Sequence, residues 1–305
     1  MSTIDTDLIR LEGLWIPAVT PFRDGRLDEA SLARLLGHLL DHPVDGIILA
    51  ATTGEGLTLD EEETERLAWV AASEVGGRVP LLLGLAGSDT RAMVRRIAAT
   101  RDWPVQGYLI SCPSYSRPSQ EGLFAHFLSL AEATERPLVL YNIPYRTAVN
   151  LTNDTLFRLA EAKANIVGLK DCGTDPQQSI DLLRFRPKGF SVLTGEDLGY
   201  FQALANGADG GIIASAHADP AAFARVRSDL LAGDPKAALM SWRPLIDLVR
   251  LLFAEPSPAP VKHWLWRQGI IASPELRLPM TGISAALAGR LDRLLQSRGQ
   301  RASAA

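Results

Sequence analysis

The sequence predicts an α/β protein, a (β/α)8 barrel with a C-terminal helical extension, and three observations carry that expectation. Eight short apolar runs recur along the chain: Trp15–Val19, Gly46–Ala50, Pro80–Gly84, Gly107–Ile110, Pro137–Tyr141, Ile166–Leu169, Ser191–Thr194 and Gly210–Ile213. Their starts lie 31, 34, 27, 30, 29, 25 and 19 residues apart, which leaves room for returning helices. Runs such as Ile47-Ile48-Leu49-Ala50 and Leu81-Leu82-Leu83 are continuously apolar, the pattern of strands covered on both faces in a parallel sheet. The segments between them have helical periodicity. Eight strand–helix units in ~230 residues fit a closed barrel. An open doubly wound sheet is the alternative, but it would leave edge strands, and no run carries the charges that blunt an edge.

The helices follow in order. Leu32, Leu35, Leu36, Leu39 and Leu40 share one face of the first. Leu123, Phe124, Phe127, Leu128 and Ala131 share a face after the fourth strand. Thr58-Leu59-Asp60-Glu61 and Thr174-Asp175-Pro176-Gln177 read as capping boxes. Asp219-Pro220 and Asp234-Pro235 each place a capping acid before a proline in the first turn. Beyond Gly233 two more stripes appear, Leu245, Leu248, Val249, Leu252 and then Leu287, Leu291, Leu294, Leu295. The expected organisation is a barrel over 11–232, a helical extension packed on it over 233–296, and tails at 1–10 and 297–305, the last of them frayed.

Composition narrows the functional classes. Of 305 residues, 47% are hydrophobic and 22% charged, which excludes a disordered tail, a collagen and a coiled coil. The net charge is −4 with no basic block, so nucleic acid is not an expected partner. No uncharged apolar run reaches ~18 residues, so no membrane span is expected. The start of the chain carries Asp5 and Asp7 and no apolar leader core. Cys112 and Cys172 are the only cysteines, which fits a reducing cytoplasm. The five histidines are scattered without the spacing of a metal site, and no metal is expected.

In a barrel, reactive groups belong at the C-terminal ends of strands. Lys170 closes the run Ile166-Val167-Gly168-Leu169-Lys170. An amine there would be partly desolvated, its pKa would fall, and its neutral form could attack a carbonyl to make a Schiff base. Taken alone, the residue fits rather better a lysine reaching solvent or pairing with Asp171. Tyr141 ends the neighbouring strand and could shuttle the protons that carbinolamine dehydration requires, with Thr53 and Tyr115 as relay partners. It could also be an interior aromatic with a satisfied hydroxyl. The turn Thr52-Thr53-Gly54 offers consecutive backbone N–H groups to a carboxylate, or is a plain loop. Arg146 could clamp a second carboxylate, or pair on the surface. Glu61-Glu62-Glu63 reads as a solvated helix start, and Trp264 and Trp266 as packing residues.

These residues carry a resemblance. Ala-Thr-Thr-Gly-Glu at 51–55, Tyr-Asn-Ile-Pro-Tyr-Arg-Thr at 141–147 and Gly-Leu-Lys-Asp at 168–171 resemble the dihydrodipicolinate synthase/N-acetylneuraminate lyase family. Glu255 to Lys262 and Leu276 to Met280 extend the likeness, which spans about residues 11–296. The resemblance implies a homotetramer built as a dimer of dimers and class I aldolase chemistry without a cofactor. Lys170 would form an imine with pyruvate, and Tyr141 would pass protons through Thr53 and through Tyr115 of a neighbouring subunit. Thr52, Thr53 and Gly54 would hold the pyruvate carboxylate, and Ile213 would line its pocket. Arg146 resembles the synthase type, whose second substrate is L-aspartate 4-semialdehyde and whose product, 4-hydroxy-tetrahydrodipicolinate, enters lysine and diaminopimelate synthesis. The alternative keeps pyruvate and changes the partner, to a 2-keto-3-deoxy sugar acid, a hydroxyproline-derived acid or an aromatic pyruvate adduct. A non-catalytic keto-acid-binding barrel is a third possibility, against which the complete residue set argues. Ala51, Gly56 and Ser114 depart from the common synthase pattern. In lysine-inhibited members a phenol and a glutamate hold the effector. Here those positions are Ser114 and Ala92, so lysine inhibition is expected to be weak or absent.

Overall fold

The computed structural model describes Ile9 and residues 11–302. Eight parallel strands close on themselves: β1 (Gly13–Pro17), β4 (Gly46–Leu49), β5 (Leu81–Leu85), β6 (Gly107–Ser111), β7 (Leu138–Asn142), β8 (Ile166–Asp171), β9 (Ser191–Thr194) and β10 (Gly210–Ile212). Strand β1 pairs with both β4 and β10, so the sheet has no edge and the open alternative is excluded. A small hairpin, β2 (Phe22–Arg23) with β3 (Arg26–Leu27), sits outside the barrel sheet. The strands match the eight predicted runs with ends shifted by at most two residues.

The continuous apolar runs have two destinations. Trp15, Ile48, Leu82, Leu109, Val139, Leu193 and Ile212 fill the barrel interior. Their neighbours Leu14, Ile16, Ile47, Leu49, Leu81 and Leu83 face outward into a larger cluster shared with the helices. Helix α1 (Glu29–Leu40) shows how that layer is held. Asp28 caps it by accepting from Ser31 N at 3.0 Å, and Leu32, Leu35, Leu36 and Leu39 are fully buried. Removing four such side chains from water is worth roughly 6–12 kcal/mol before entropy is counted.

Of the two expected capping boxes, one sits two residues further on and the other is replaced by a simple cap. In α2 (Glu61–Val75) the box is Asp60 with Glu63, because Gly56–Thr58 form a 3-10 turn that keeps Thr58 outside the helix. In α7 (Pro176–Phe185) the cap is Asp175, since Pro176 already occupies the first turn. The Asp219 cap on α9 (Pro220–Leu231) and the Asp234 cap on α10 (Pro235–Leu252) are as expected. Helices α11 (Ala259–Arg267) and α12 (Ala285–Ala302) complete the C-terminal part. The 297–305 segment is not a frayed tail over its first part, because α12 continues to Ala302. Residues 303–305 and most of the 1–10 tail lie outside the described residues. Trp264 is buried, while Trp266 is only half-covered, with its ring edge-on to His263 at 5.6 Å.

Candidate active site

A β-bulge brings the central pair together. Leu138 on β7 pairs with Ile166 on β8, but the next residue, Val139, pairs with Gly168, so Val167 is extra. The slip sets Tyr141 beside Lys170, where an unbroken ladder would have set it beside Leu169. Side chains alternate along a strand, so one inserted residue decides which face Lys170 takes. Val139 and Tyr141 face inward, and Lys170 faces inward with them.

Lys170 is 6% exposed, and its Nζ lies 4.4 Å from the centre of the Tyr141 ring. No carboxylate forms an ion pair with it among the described residues. Asp171 points away, accepting from Gly173 N at 2.9 Å and from Ser179 Oγ at 2.7 Å, which removes the Lys170–Asp171 pairing. Desolvation therefore holds the Lys170 amine below the ordinary lysine range, with the surrounding acids opposing it and losing. Gly195 makes room for this lysine. A Cβ on it would stand 2.3 Å from Lys170 Cε and 2.4 Å from Cys172 Sγ.

The predicted partners divide into three groups. Tyr141 meets Lys170 directly, and Arg146 lies on the short helix α5 (Pro144–Thr147) that follows β7. Its guanidinium is 5.8 Å from the Tyr145 ring and forms no ion pair among the described residues. Thr53 is buried near the end of β4, but no hydrogen bond joins its hydroxyl to Tyr141. The neighbour of the Tyr141 hydroxyl is the Cys172 thiol, at 4.0 Å. Tyr115 is 96% exposed, at a left-handed φ of 68°, so within this chain it stands apart from Tyr141. The Ile213 side chain belongs to the outer cluster, and the interior residue at that level is Ile212.

The turn after β4 is tightly built. Ala50 adopts a left-handed φ of 51°, and a Cβ on Gly56 would stand 1.8 Å from its carbonyl oxygen. Gly56 is thus required by the backbone, which accounts for the departure noted in the sequence. Thr20 Oγ1 anchors the turn by donating to Gly54 O at 2.6 Å. A cavity of about 230 Å3 opens beside it, lined among others by Thr52, Tyr141, Arg146 and Arg96. Lys170 is not part of its wall and stands across the Tyr141 ring.

Two further groups were not assigned from sequence. Asp197, buried after β9, accepts from Ser215 N and Oγ at 2.6 Å, yet desolvation still pushes its pKa up to about 6. Its neighbour Glu196 has a buried Oε1 without a hydrogen-bond partner, and burial raises its pKa too. Among the described residues no cluster of three or more His, Cys, Asp or Glu could hold a metal ion, and no helix is long and apolar enough to cross a membrane.

A barrel with a buried lysine at a strand end, free of any ion pair among the described residues, and a phenol against it is an arrangement in which an amine can condense with a carbonyl. The chain matches the dihydrodipicolinate synthetase family model over residues 10–298, and it belongs to that family. It is 41% identical over 289 residues to 4-hydroxy-tetrahydrodipicolinate synthase 2 of Clostridium acetobutylicum, covering 94% of this chain and 100% of the relative. It superposes on dihydrodipicolinate synthase from Aquifex aeolicus with a TM-score of 0.91 at 32% identity, covering 95% and 98% of the two chains. The Thermotoga maritima enzyme gives 0.92 at 31%, covering 94% and 98%. The protein is thus an enzyme of the synthase type.

Proposed function

We propose that the protein condenses pyruvate with L-aspartate 4-semialdehyde to 4-hydroxy-tetrahydrodipicolinate, as a Schiff-base lyase of lysine and diaminopimelate synthesis. The observation that carries the reading is the Lys170 amine, buried beside the Tyr141 ring with no ion pair among the described residues. The neutral amine adds to the keto carbon of pyruvate, and Tyr141 protonates the departing hydroxyl as water. The imine is the electron sink, so no further cofactor is needed. Loss of a methyl proton gives the enamine, which attacks the aldehyde carbon. The amino group of the semialdehyde then displaces Lys170 by transimination, closing the ring and freeing the enzyme.

The remaining residues take their places around this path. Backbone N–H groups of Thr52, Thr53 and Gly54 hold the pyruvate carboxylate, and the interior Ile212, in place of Ile213, borders the pyruvate pocket. Thr53 relays protons for Tyr141, together with Tyr115 of a neighbouring subunit. Its full exposure in the single chain suits a residue whose partner lies in another protomer. A cytoplasmic homotetramer is the expected assembly. Arg146, which lines the cavity and forms no ion pair among the described residues, clamps the carboxylate of the semialdehyde.

Two measurements test this. Pyruvate with borohydride should add mass at Lys170, and unmodified Lys170 with retained activity would refute the mechanism. Arg146→Ala should lower kcat/KM for the semialdehyde by ~100-fold and leave pyruvate trapping intact. Equal turnover by the variant would move the second substrate to another member of the pyruvate-dependent class.

A further inference from the structure

Three acids lie near Lys170, and two are committed. Asp171 is held by Gly173 and Ser179, and Asp197 by Ser215. Glu196 alone keeps an oxygen that is buried and unpartnered. It faces the Cys172 thiol and the Tyr145 hydroxyl. Cys172 in turn lies 4.0 Å from the Tyr141 hydroxyl and packs with the Lys170 stem against Gly195. A chain of exchangeable groups thus leads away from the reacting amine: Tyr141, Cys172, Glu196.

We infer that Cys172 and Glu196 are positioning residues that deliver a proton to Tyr141 during imine formation. The inference rests on the pyruvate-imine reading above. As the carbinolamine C–O bond breaks, the oxygen takes the Tyr141 proton and leaves as water. The phenolate takes the thiol proton, and the thiol takes the Glu196 carboxyl proton. The products are an iminium cation on Lys170 and a carboxylate on Glu196, so charge is conserved within the pocket. The groups facing Glu196 are Lys170 and Asp171 of β8, Cys172, Tyr145 of α5 and the adjacent Asp197. Lys170 is the only cation among them, and its conversion to the iminium is what stabilises the Glu196 carboxylate.

The test is the rate of borohydride-trapped Lys170 labelling by pyruvate, measured against pH on the full chain. Glu196→Gln should slow labelling by ~10- to 100-fold and flatten its pH profile, while the final extent is unchanged. Cys172→Ser, which still relays a proton, should stay within about 3-fold of the parent, and Cys172→Ala should fall by about 10-fold. Parental rates and profile in both Glu196→Gln and Cys172→Ala would overturn the relay, as would equal losses in the Ser and Ala variants, which would mark Cys172 as packing alone. Failure of the parent protein to label would overturn the pyruvate-imine reading and the relay with it.

Discussion

Two lysines are buried in this barrel, and they differ in what stands opposite them. Lys262 on α11 is 0% exposed. It donates to the Glu55 carboxylate and, at 2.8 Å, to the Glu275 carbonyl, with the Phe22 ring 4.3 Å away. Lys170 has a comparable aromatic neighbour, at 4.4 Å, and no carboxylate in ion-pair contact among the described residues. Burial draws both amines downward, Lys262 to about 8. Glu55 holds Lys262 as one member of a fixed pair, and its second oxygen is anchored by Arg277 N at 3.0 Å. A buried lysine with a partner ties the C-terminal helices to the barrel mouth. A buried lysine without one has less to keep it charged, which is the state the proposed imine chemistry requires.

The largest effect expected from this difference is a clean separation of activity from stability. Lys170→Met removes an uncompensated amine and replaces it with apolar volume. Pyruvate trapping should vanish and turnover should fall by at least ~1,000-fold. Urea unfolding should show a stability equal to or above that of the parent. Lys262→Met inverts the outcome, because it leaves the Glu55 carboxylate buried and unpaired. Stability should drop by ~3–5 kcal/mol in the same titration. A Lys262→Met protein as stable as the parent would break the comparison.

His217 sharpens it, as a buried base whose hydrogen bonds fix it neutral. Its Nδ1 contacts the Ala214 carbonyl at 2.7 Å, and its Nε2 accepts from Val19 N at 3.2 Å. Protonating Nε2 would cost the second bond, and burial lowers the pKa from 6.5 to about 4. Between those values the unfolded chain binds a proton that the folded chain refuses, so stability falls as pH falls through that window. The loss reaches about 3 kcal/mol near pH 4 and is absent above 6.5. The difference in urea midpoint between the parent and His217→Gln from pH 7 to 4 checks the slope, because Asp197, raised to about 6, contributes with the opposite sign in both proteins.

How much of this was legible in the sequence follows physical range. Strand and helix positions were, because continuous apolar runs and 3.6-residue stripes are local signals. Lys170 and Tyr141 were legible as strand-end residues, but the bulge at Val167 that makes them neighbours depends on pairing between two strands and has no local signature. The Glu55–Lys262 pair joins residues 207 positions apart, and only the closed fold brings them together. The Tyr141–Cys172 contact was within reach, since Lys170 and Cys172 are two residues apart on one strand face. Ile213 shows the limit of reading a strand end by position, for a one-residue phase error exchanges it with the interior Ile212.

The smallest expected effect extends the same logic to a free amino acid. An ammonium group brought into a partly dry site needs a carboxylate, as Lys262 has Glu55. The surface cleft beside Ala92 is lined by Arg95 and Arg96 against a single Glu61, so two cations face any incoming lysine with one acid to offset them. Ser114, the other position at issue, brings a hydroxyl in place of a phenol. Lysine at millimolar concentration should therefore change turnover by less than about 2-fold, within RT ln 2 of about 0.4 kcal/mol. Ala92→Glu should raise sensitivity by restoring an acid to the cleft. Inhibition of the parent at sub-millimolar lysine would show that an ammonium can be held there without that carboxylate, and the contrast between the two buried lysines would lose its generality.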